Sequence, residues 1–238
     1  ENGVTAAVQG CWASLFEPRA IFYRAHQGFD HFAVGIAVPV QRMVQSETSG
    51  VLFTLDPVTS DRGKVIIEAV YGLGEAIVAG EVTPDLYVVD KQGPKIIDKK
   101  LARQEWQLVR NAKGDKDPEK ANIRVPIPEA KQARQKLSDE DIIALARMGQ
   151  RIEDLYAFPQ DIEWAKEGKE LFMVQTRPVT TIKEAEEQRK TPETAEKPLL
   201  TGSPASPGIA SGPTRIVHQS SEIDRVLEGD VLVAEMTT

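Results

Sequence analysis

The chain has 238 residues, of which 41% are hydrophobic and 27% are charged, and its formal net charge at pH 7 is −7. This is the composition of an ordinary globular protein, and an acidic balance without a basic stripe argues against nucleic acid as a partner. The single cysteine, Cys11, excludes an internal disulfide and a cysteine-rich zinc site, and no apolar stretch is long enough to span a membrane, so we expect a cytoplasmic protein without a membrane partner.

Two helices are predicted at the start of the chain. Apolar residues recur at helical spacing from Val4 to Phe16, and Pro18 suits the first turn of a second helix that ends at Gly28. A run rich in valine and isoleucine then predicts a strand at residues 32–44.

The end of this strand is a candidate for contact with a ligand. The local sequence favours an ordinary strand end, and the alternative is a hinge between two strands whose backbone reads an adenine base. The residues concerned are Gln41, Arg42, Met43, Val44 and Gln45.

Strands are predicted at residues 50–54 and 64–70, and a short helix is predicted after the turn Gly72-Leu73-Gly74-Glu75. Backbone N–H groups in such a turn can hold a phosphate, but two glycines are a weak signal and a simple turn is the favoured interpretation. The sequence contains neither a dinucleotide-binding fingerprint nor a P-loop, which argues against a Rossmann or P-loop nucleotide site.

The middle of the chain predicts an antiparallel meander and then a helix. Strand character at residues 85–90, 95–103 and 105–110 is followed by a polar, loop-like segment at 111–129. Ser138 precedes three acidic residues, which predicts the N-cap and first turn of an amphipathic helix that continues to residue 157.

A β-hairpin after this helix carries the most informative side chains, Glu163, Gln175 and Arg177. Mg²⁺ takes oxygen ligands such as carboxylates, and the guanidinium fork suits phosphate oxygens, so the hairpin points to phosphoryl transfer. Glu163 and Gln175 share a face only if the loop is odd in length or a β-bulge corrects the parity, and Arg177 then lies near Asp161. A solvated hairpin with alternating polar residues explains the local sequence equally well.

The composition also predicts a domain boundary. Residues 1–182 form the first domain, residues 183–198 are a charged linker, and residues 199–238 begin a second unit. The second unit is predicted to contain a strand, a short helix and a further strand, at residues 214–217, 221–227 and 230–235. None of the three histidines of the chain has a partner at metal-ligand spacing.

Four runs, at residues 49–57, 68–75, 159–164 and 175–178, together resemble phosphoenolpyruvate synthases, the pyruvate, water dikinases. The resemblance covers essentially the whole chain, and rifampin phosphotransferases are similar over the same stretches. It implies an α+β fold, in which a mixed or antiparallel sheet with helices forms the C-terminal part of an ATP-grasp domain. Residues 199–238 would be the truncated start of a swivelling phosphohistidine domain.

The resemblance also implies Mg²⁺ and ATP as ligands of the chain. Glu163 and Gln175 would be the metal ligands and Arg177 would contact the phosphates, while the segment from Gln41 to Gln45 would form the adenine hinge. ATP would phosphorylate a histidine, from which the phosphoryl group reaches pyruvate, with phosphoenolpyruvate, AMP and phosphate as products.

The histidine loop, the pyruvate-binding barrel and the first half of the ATP-grasp domain are expected outside these 238 residues. We therefore expect the chain to be a fragment that is inactive by itself. An antibiotic kinase of the rifampin phosphotransferase type and a non-catalytic nucleotide-sensing module are the alternatives. A homodimer of the full-length parent is left open by the sequence.

Overall fold

The computed structural model describes residues 2–111, 121–179, 202, 210–218 and 220–234. The chain divides into two compact units, which are Glu1–Met43 with Lys113–Ala121 and Val44–Ala112 with Asn122–Thr238. Within the described residues no helix combines the length and the apolar character that crossing a membrane requires.

The first unit contains both helices predicted at the start of the chain. Helix α1 (Asn2–Ala13) continues into a 3-10 turn, and helix α2 (Pro18–Gln27) has its proline in the first turn. Gly28 ends α2 with φ of 71°, a left-handed conformation that glycine adopts without steric cost. The predicted boundaries of α2 are therefore confirmed to within a residue.

The strand predicted at residues 32–44 is wrong, because these residues lie in no strand. A β-branched run becomes a strand only where a neighbouring strand offers partners for its N–H and C=O groups. No strand in the described part of the chain pairs with this run, which is largely exposed.

The strands of the described residues, all in the second unit, are β1 (Thr48–Phe53), β2 (Lys64–Tyr71), β3 (Asp85–Asp90), β4 (Lys95–Lys100), β5 (Trp106–Arg110), β6 (Asn122–Pro126), β7 (Gln160–Glu167), β8 (Glu170–Pro178), β9 (Thr214–Val217) and β10 (Val231–Ala234). Six of them form one sheet with the order β4-β3-β2-β1-β7-β8, in which all neighbouring strands are antiparallel. The helices of this unit are α3 (Glu75–Val78), α4 (Glu129–Gln132) and α5 (Asp139–Tyr156). The α+β class is confirmed.

Helix α5 covers one face of the sheet and forms the main core with it. The Ser138 side chain accepts a hydrogen bond from Asp141 N at 3.2 Å, which confirms the predicted N-cap. A Cβ on Gly149 would lie 2.7 Å from Leu52 Cδ2, so glycine allows the helix to approach the sheet closely. The large buried side chains of this core include Leu52, Ile67, Tyr87, Ile142, Leu145, Ile162 and Trp164.

The predicted meander is only partly correct. Strands β3 and β4 pair as expected, but β5 pairs with β6, so part of the predicted loop at 111–129 is a strand. The buried Gln104 side chain explains why the chain leaves the large sheet before β5. Its Oε1 accepts a hydrogen bond from Tyr71 N at 2.8 Å, and its Nε2 donates one to Tyr71 O at 3.0 Å. An amide side chain thus takes the place of a strand partner at the end of β2. Residues 112–120 lie outside the described residues.

The last part of the chain contains a separate two-stranded sheet. Strands β9 and β10 pair in parallel, close to the predicted positions. The short helix predicted at 221–227 is instead a 3-10 helix, Ser220–Arg225. The predicted linker at 183–198 lies outside the described residues.

Candidate functional site

The predicted hairpin is present as β7 and β8, joined by the two-residue turn Gly168-Lys169. Gly168 has φ of 60° whereas Lys169 has a negative φ, as in hairpin turns that require glycine at the first central position. Because this loop is even in length, the ladder next to the turn pairs Glu167 with Glu170. Continued unchanged, that register would place Glu163 and Gln175 on opposite faces.

A β-bulge corrects the parity. The register shifts after the pair Trp164–Met173, and Val174 becomes the extra residue on β8. Glu163 then lies directly opposite Gln175, and Asp161 lies opposite Arg177. The expectation that an odd loop or a bulge is needed is met by the bulge.

These side chains lie on the face of the sheet opposite to α5. Ile162 and Trp164 belong to the core under α5, and successive residues of a strand point to opposite faces. The pairs Glu163–Gln175 and Asp161–Arg177 continue across β1 and β2, so that each becomes a row of four directly neighbouring residues on this face. The first row contains Glu68, Val51, Glu163 and Gln175, and the second contains Ile66, Phe53, Asp161 and Arg177.

Arg177 is fixed on this face by Asp161. Its Nε donates to Asp161 Oδ2 at 2.8 Å, and one terminal nitrogen lies 2.8 Å from the same oxygen. The Arg177 side chain is 67% exposed, while that of Asp161 is only 12% exposed. The guanidinium is therefore oriented by one carboxylate and still has N–H groups open to an anionic ligand.

Glu68 is a member of this face that sequence reasoning did not identify. It lies in the same row as Glu163, with Val51 of β1 between them. Partial burial raises the pKa of the Glu68 carboxyl, and the nearby charge of Asp161 raises this pKa further. Only the sheet order brings β2 and β7 to either side of β1, so the sequence held no local signal for this neighbourhood. Asp161 was expected only as a neighbour of Arg177.

The five predicted hinge residues are divided between the two units. Gln41, Arg42 and Met43 belong to the first unit, and Val44 and Gln45 belong to the second. All five lie outside strands, so the interpretation as an ordinary strand end is wrong. Their role as an adenine hinge stays a prediction.

The Gly72-Leu73-Gly74-Glu75 turn has a structural role. Gly72 N donates to Glu47 O at 3.0 Å and Leu73 N donates to Leu108 O at 2.9 Å, so both amides are engaged within the protein. Gly72 has φ of 84°, and a Cβ at this position would lie 2.3 Å from Leu108 O. These contacts support the simple-turn interpretation over a phosphate cradle.

The donor set of the hairpin fits a magnesium ion that is shared with a polyphosphate. In the described part of the chain no group of three or more His, Cys, Asp or Glu side chains could hold a metal by itself. Directly opposed residues have Cβ atoms about 5 Å apart, so the Glu163 carboxylate and the Gln175 amide oxygen can converge on one ion. Mg²⁺ commonly uses one or two protein ligands and completes its shell with phosphate oxygens and water.

Comparison with known proteins identifies the family to which the chain belongs. A family model described as "Pyruvate phosphate dikinase, AMP/ATP-binding domain" matches residues 1–198. The chain is 46% identical over 239 residues to a probable phosphoenolpyruvate synthase of Methanocaldococcus jannaschii, with 100% of this chain and 20% of the relative covered. Identity is 50% over 246 residues to a probable phosphoenolpyruvate synthase of Archaeoglobus fulgidus, with 100% and 31% covered.

The phosphoenolpyruvate synthase of Pyrococcus furiosus is 47% identical over 239 residues, with 99% of this chain and 29% of the relative covered. The chain thus spans between a fifth and a third of the length of these relatives.

Proposed function

Because the chain belongs to the pyruvate phosphate dikinase AMP/ATP-binding domain family, we propose that it supplies the Mg-ATP site of a phosphoenolpyruvate synthase. The proposed overall reaction converts ATP, pyruvate and water into AMP, phosphate and phosphoenolpyruvate through a phosphohistidine. Residues 1–182 are assigned to the ATP-grasp domain, 183–198 to a linker and 199–238 to the start of the phosphohistidine domain. Pyruvate would act at parts of the protein outside this chain, and we place the reaction in the cytoplasm.

The observation that carries the proposal is the convergence of Glu163, Gln175 and Arg177 on one sheet face. Glu163 and Gln175 would hold Mg²⁺, which would offset phosphate charge as the bond between the α- and β-phosphates breaks, so that the two outer phosphates are transferred together and AMP leaves. Arg177 supplies a second positive charge, and Asp161 holds it beside the metal ligands before the nucleotide binds. Such preorganised charge is effective because no side chain has to be ordered during the reaction.

The adenine end of the nucleotide is assigned to the segment from Gln41 to Gln45. The segment lies outside the strand ladders, and hydrogen bonds between backbone groups and a base edge can discriminate adenine from other bases. Support comes from the position of Gln45, which is three residues before the β1 strand that borders β7.

The proposal is tested by ATP-dependent phosphorylation of the full-length protein carrying Glu163→Gln, with Glu170→Gln as the matched control. Glu170 is exposed next to the turn of the same hairpin, away from the proposed metal ligands Glu163 and Gln175. We expect loss of phosphorylation in the first variant only. Equal phosphorylation of the two variants would contradict the metal assignment.

The acceptor is tested separately with pyruvate and with rifampin. The relatives named above are phosphoenolpyruvate synthases, which favours pyruvate. AMP release that depends on rifampin would indicate the antibiotic kinase instead, and nucleotide binding without any turnover would indicate a sensing module. The 238-residue chain alone is expected to form no phosphoenolpyruvate, because the proposed reaction needs a histidine nucleophile and a positioned acceptor.

A further inference from the structure

Two glutamates tie the segment before β1 to the β7–β8 turn in a reciprocal arrangement. Glu167 Oε2 accepts a hydrogen bond from Gln45 N at 3.0 Å, and Glu47 Oε1 accepts one from Gly168 N at 3.3 Å. Each carboxylate therefore binds a backbone amide of the opposite segment. We call this pair of contacts the glutamate clamp.

The clamp lies just beyond the β1–β7 ladder. That ladder begins with the pair Thr48–Lys166, and the bond from Glu47 N to Lys166 O at 2.9 Å continues it by one step. The Glu167 carboxylate takes the place of a strand carbonyl for Gln45 N, and hydrogen bonds to an ionised acceptor are stronger than those to a neutral one.

A second anchor holds the same segment from its other side. Glu47 O accepts a hydrogen bond from Gly72 N at 3.0 Å, at the turn that follows β2. Glu47 is thus bound through its backbone to β7 and to the glycine turn, and through its carboxylate to the β7–β8 turn. The position of Gln45 relative to the hairpin follows from these contacts.

We propose that Glu167 and Glu47 are positioning residues that hold Gln45, at the end of the adenine-reading segment, in register with the metal-binding hairpin. The inference rests on the proposed function, since it assigns adenine to the segment that includes Gln45 and Mg²⁺ to Glu163. Glu163 and Glu167 are four residues apart on β7, which corresponds to roughly 13 Å along a strand. An extended nucleotide triphosphate spans a distance of this order between its base and its terminal phosphate, so one strand connects both ends of the site.

The clamp should contribute to ATP affinity rather than to the chemical step. Loss of the clamp would loosen the segment at Gln45 in the free protein, and the cost of ordering it again on nucleotide binding would reduce the affinity. Chemistry at the phosphate end would be affected less, because Glu163, Gln175 and Arg177 are held by the β7–β8 ladder. The loss should therefore fall on Kd and KM for ATP rather than on kcat.

The test is calorimetric titration of the full-length protein with Mg-ATP. Glu167→Ala is expected to weaken binding about threefold to tenfold, the range that follows from losing one hydrogen bond. Glu167→Gln keeps an oxygen acceptor and should restore most of the affinity. Glu170→Ala removes an exposed carboxylate from the same turn and should bind as the wild type does.

Hydrogen exchange at the Gln45 amide gives a second measurement, and faster exchange is expected in Glu167→Ala. An unchanged Kd together with unchanged exchange would overturn the clamp. Including Glu163→Gln in the series separates this failure from failure of the proposed function. If the wild type and Glu163→Gln bind ATP with the same dependence on magnesium, the metal assignment fails. If Glu163→Gln loses this dependence but Glu167→Ala keeps the wild-type Kd and exchange rate, the clamp alone fails.

Discussion

Glu163 lies directly opposite Gln175 although the turn that joins their strands has an even number of residues. The extra residue Val174 resolves this, because it shifts the register by one position between the turn and the pair Glu163–Gln175. The residues nearer the turn therefore keep the pairing that the two-residue loop requires, while those beyond the bulge bring an acid, an amide and an arginine to one face. A local irregularity in the ladder thus produces the candidate site.

Replacement of Arg177 separates stability from ligand binding. Arg177→Ala removes an ion pair whose arginine is 67% exposed, so the free energy of unfolding should fall by less than about 1 kcal/mol. ATP-dependent phosphorylation should fall strongly, because the proposed phosphate site loses its cationic group. Urea denaturation and a phosphorylation assay check the two expectations, with the exposed Arg151→Ala on α5 as the control. A phosphorylation rate equal to that of the control would exclude Arg177 from the site.

Glu68 should give the protein a pH-dependent loss of stability. Burial and the charge of Asp161 raise the pKa of its carboxyl in the folded state above the ordinary value of 4.5. A group whose pKa is raised by folding stabilises the fold below its ordinary pKa, and this contribution is lost as the pH rises through the folded-state pKa. Glu68→Gln removes the ionisation, so its free energy of unfolding should decline less than that of the wild type as the pH rises above 4.5.

Urea denaturation of both proteins at several pH values between about 4 and 7 measures this difference. Glu170→Gln, at an exposed position, should retain the wild-type dependence on pH. Parallel curves for Glu68→Gln and the wild type would show that the Glu68 carboxyl does not ionise differently in the folded and unfolded states.

The buried ion pair between Lys136 and Asp85 should matter more for stability than the ion pairs at the surface. Its nitrogen and oxygen are 2.6 Å apart, and both side chains are fully buried. Asp85 also accepts from the Tyr87 hydroxyl at 2.7 Å and from Ala102 N at 2.8 Å. Lys136→Met would leave this carboxylate buried without its counter-ion, at a cost of about 3 to 5 kcal/mol.

The matched control is Lys99→Met. Lys99 pairs with Asp139, whose side chain is 57% exposed, and water can solvate that carboxylate when the lysine is removed. Urea denaturation should therefore show a much larger loss for Lys136→Met. Equal losses for the two variants would contradict the importance of the buried pair.

The features predicted correctly depend on contacts that are close in sequence. The N-cap at Ser138, the end of α2 at Gly28 and the two strands of the hairpin are determined by neighbouring residues, and all three are present. If Glu163 and Gln175 share a face, the sequence allows either a loop with an odd number of residues or a β-bulge. The choice between these two depends on packing against β1 as well as on the turn.

The failures depend on partners that are distant in sequence. The strand predicted at 32–44 has the right residues but no pairing strand among the described residues. Strand β5 leaves the meander because the Gln104 side chain caps the end of β2. Glu68 joins Glu163 only through the order of β2, β1 and β7 in the sheet. Periodicity and propensity carry no information about such long-range pairing.

We propose that Glu163 and Gln175 together hold the magnesium ion of ATP. Mg²⁺-dependent ATP binding and phosphorylation by the full-length protein with Glu163→Ala, beside Glu170→Ala, test this assignment. We expect Glu163→Ala to lose both the Mg²⁺ dependence and the phosphorylation while its thermal unfolding is unchanged, because this half-buried carboxylate lies outside the core under α5. A Glu163→Ala protein that is phosphorylated at the wild-type rate with the wild-type requirement for Mg²⁺ would show that Glu163 is not a metal ligand.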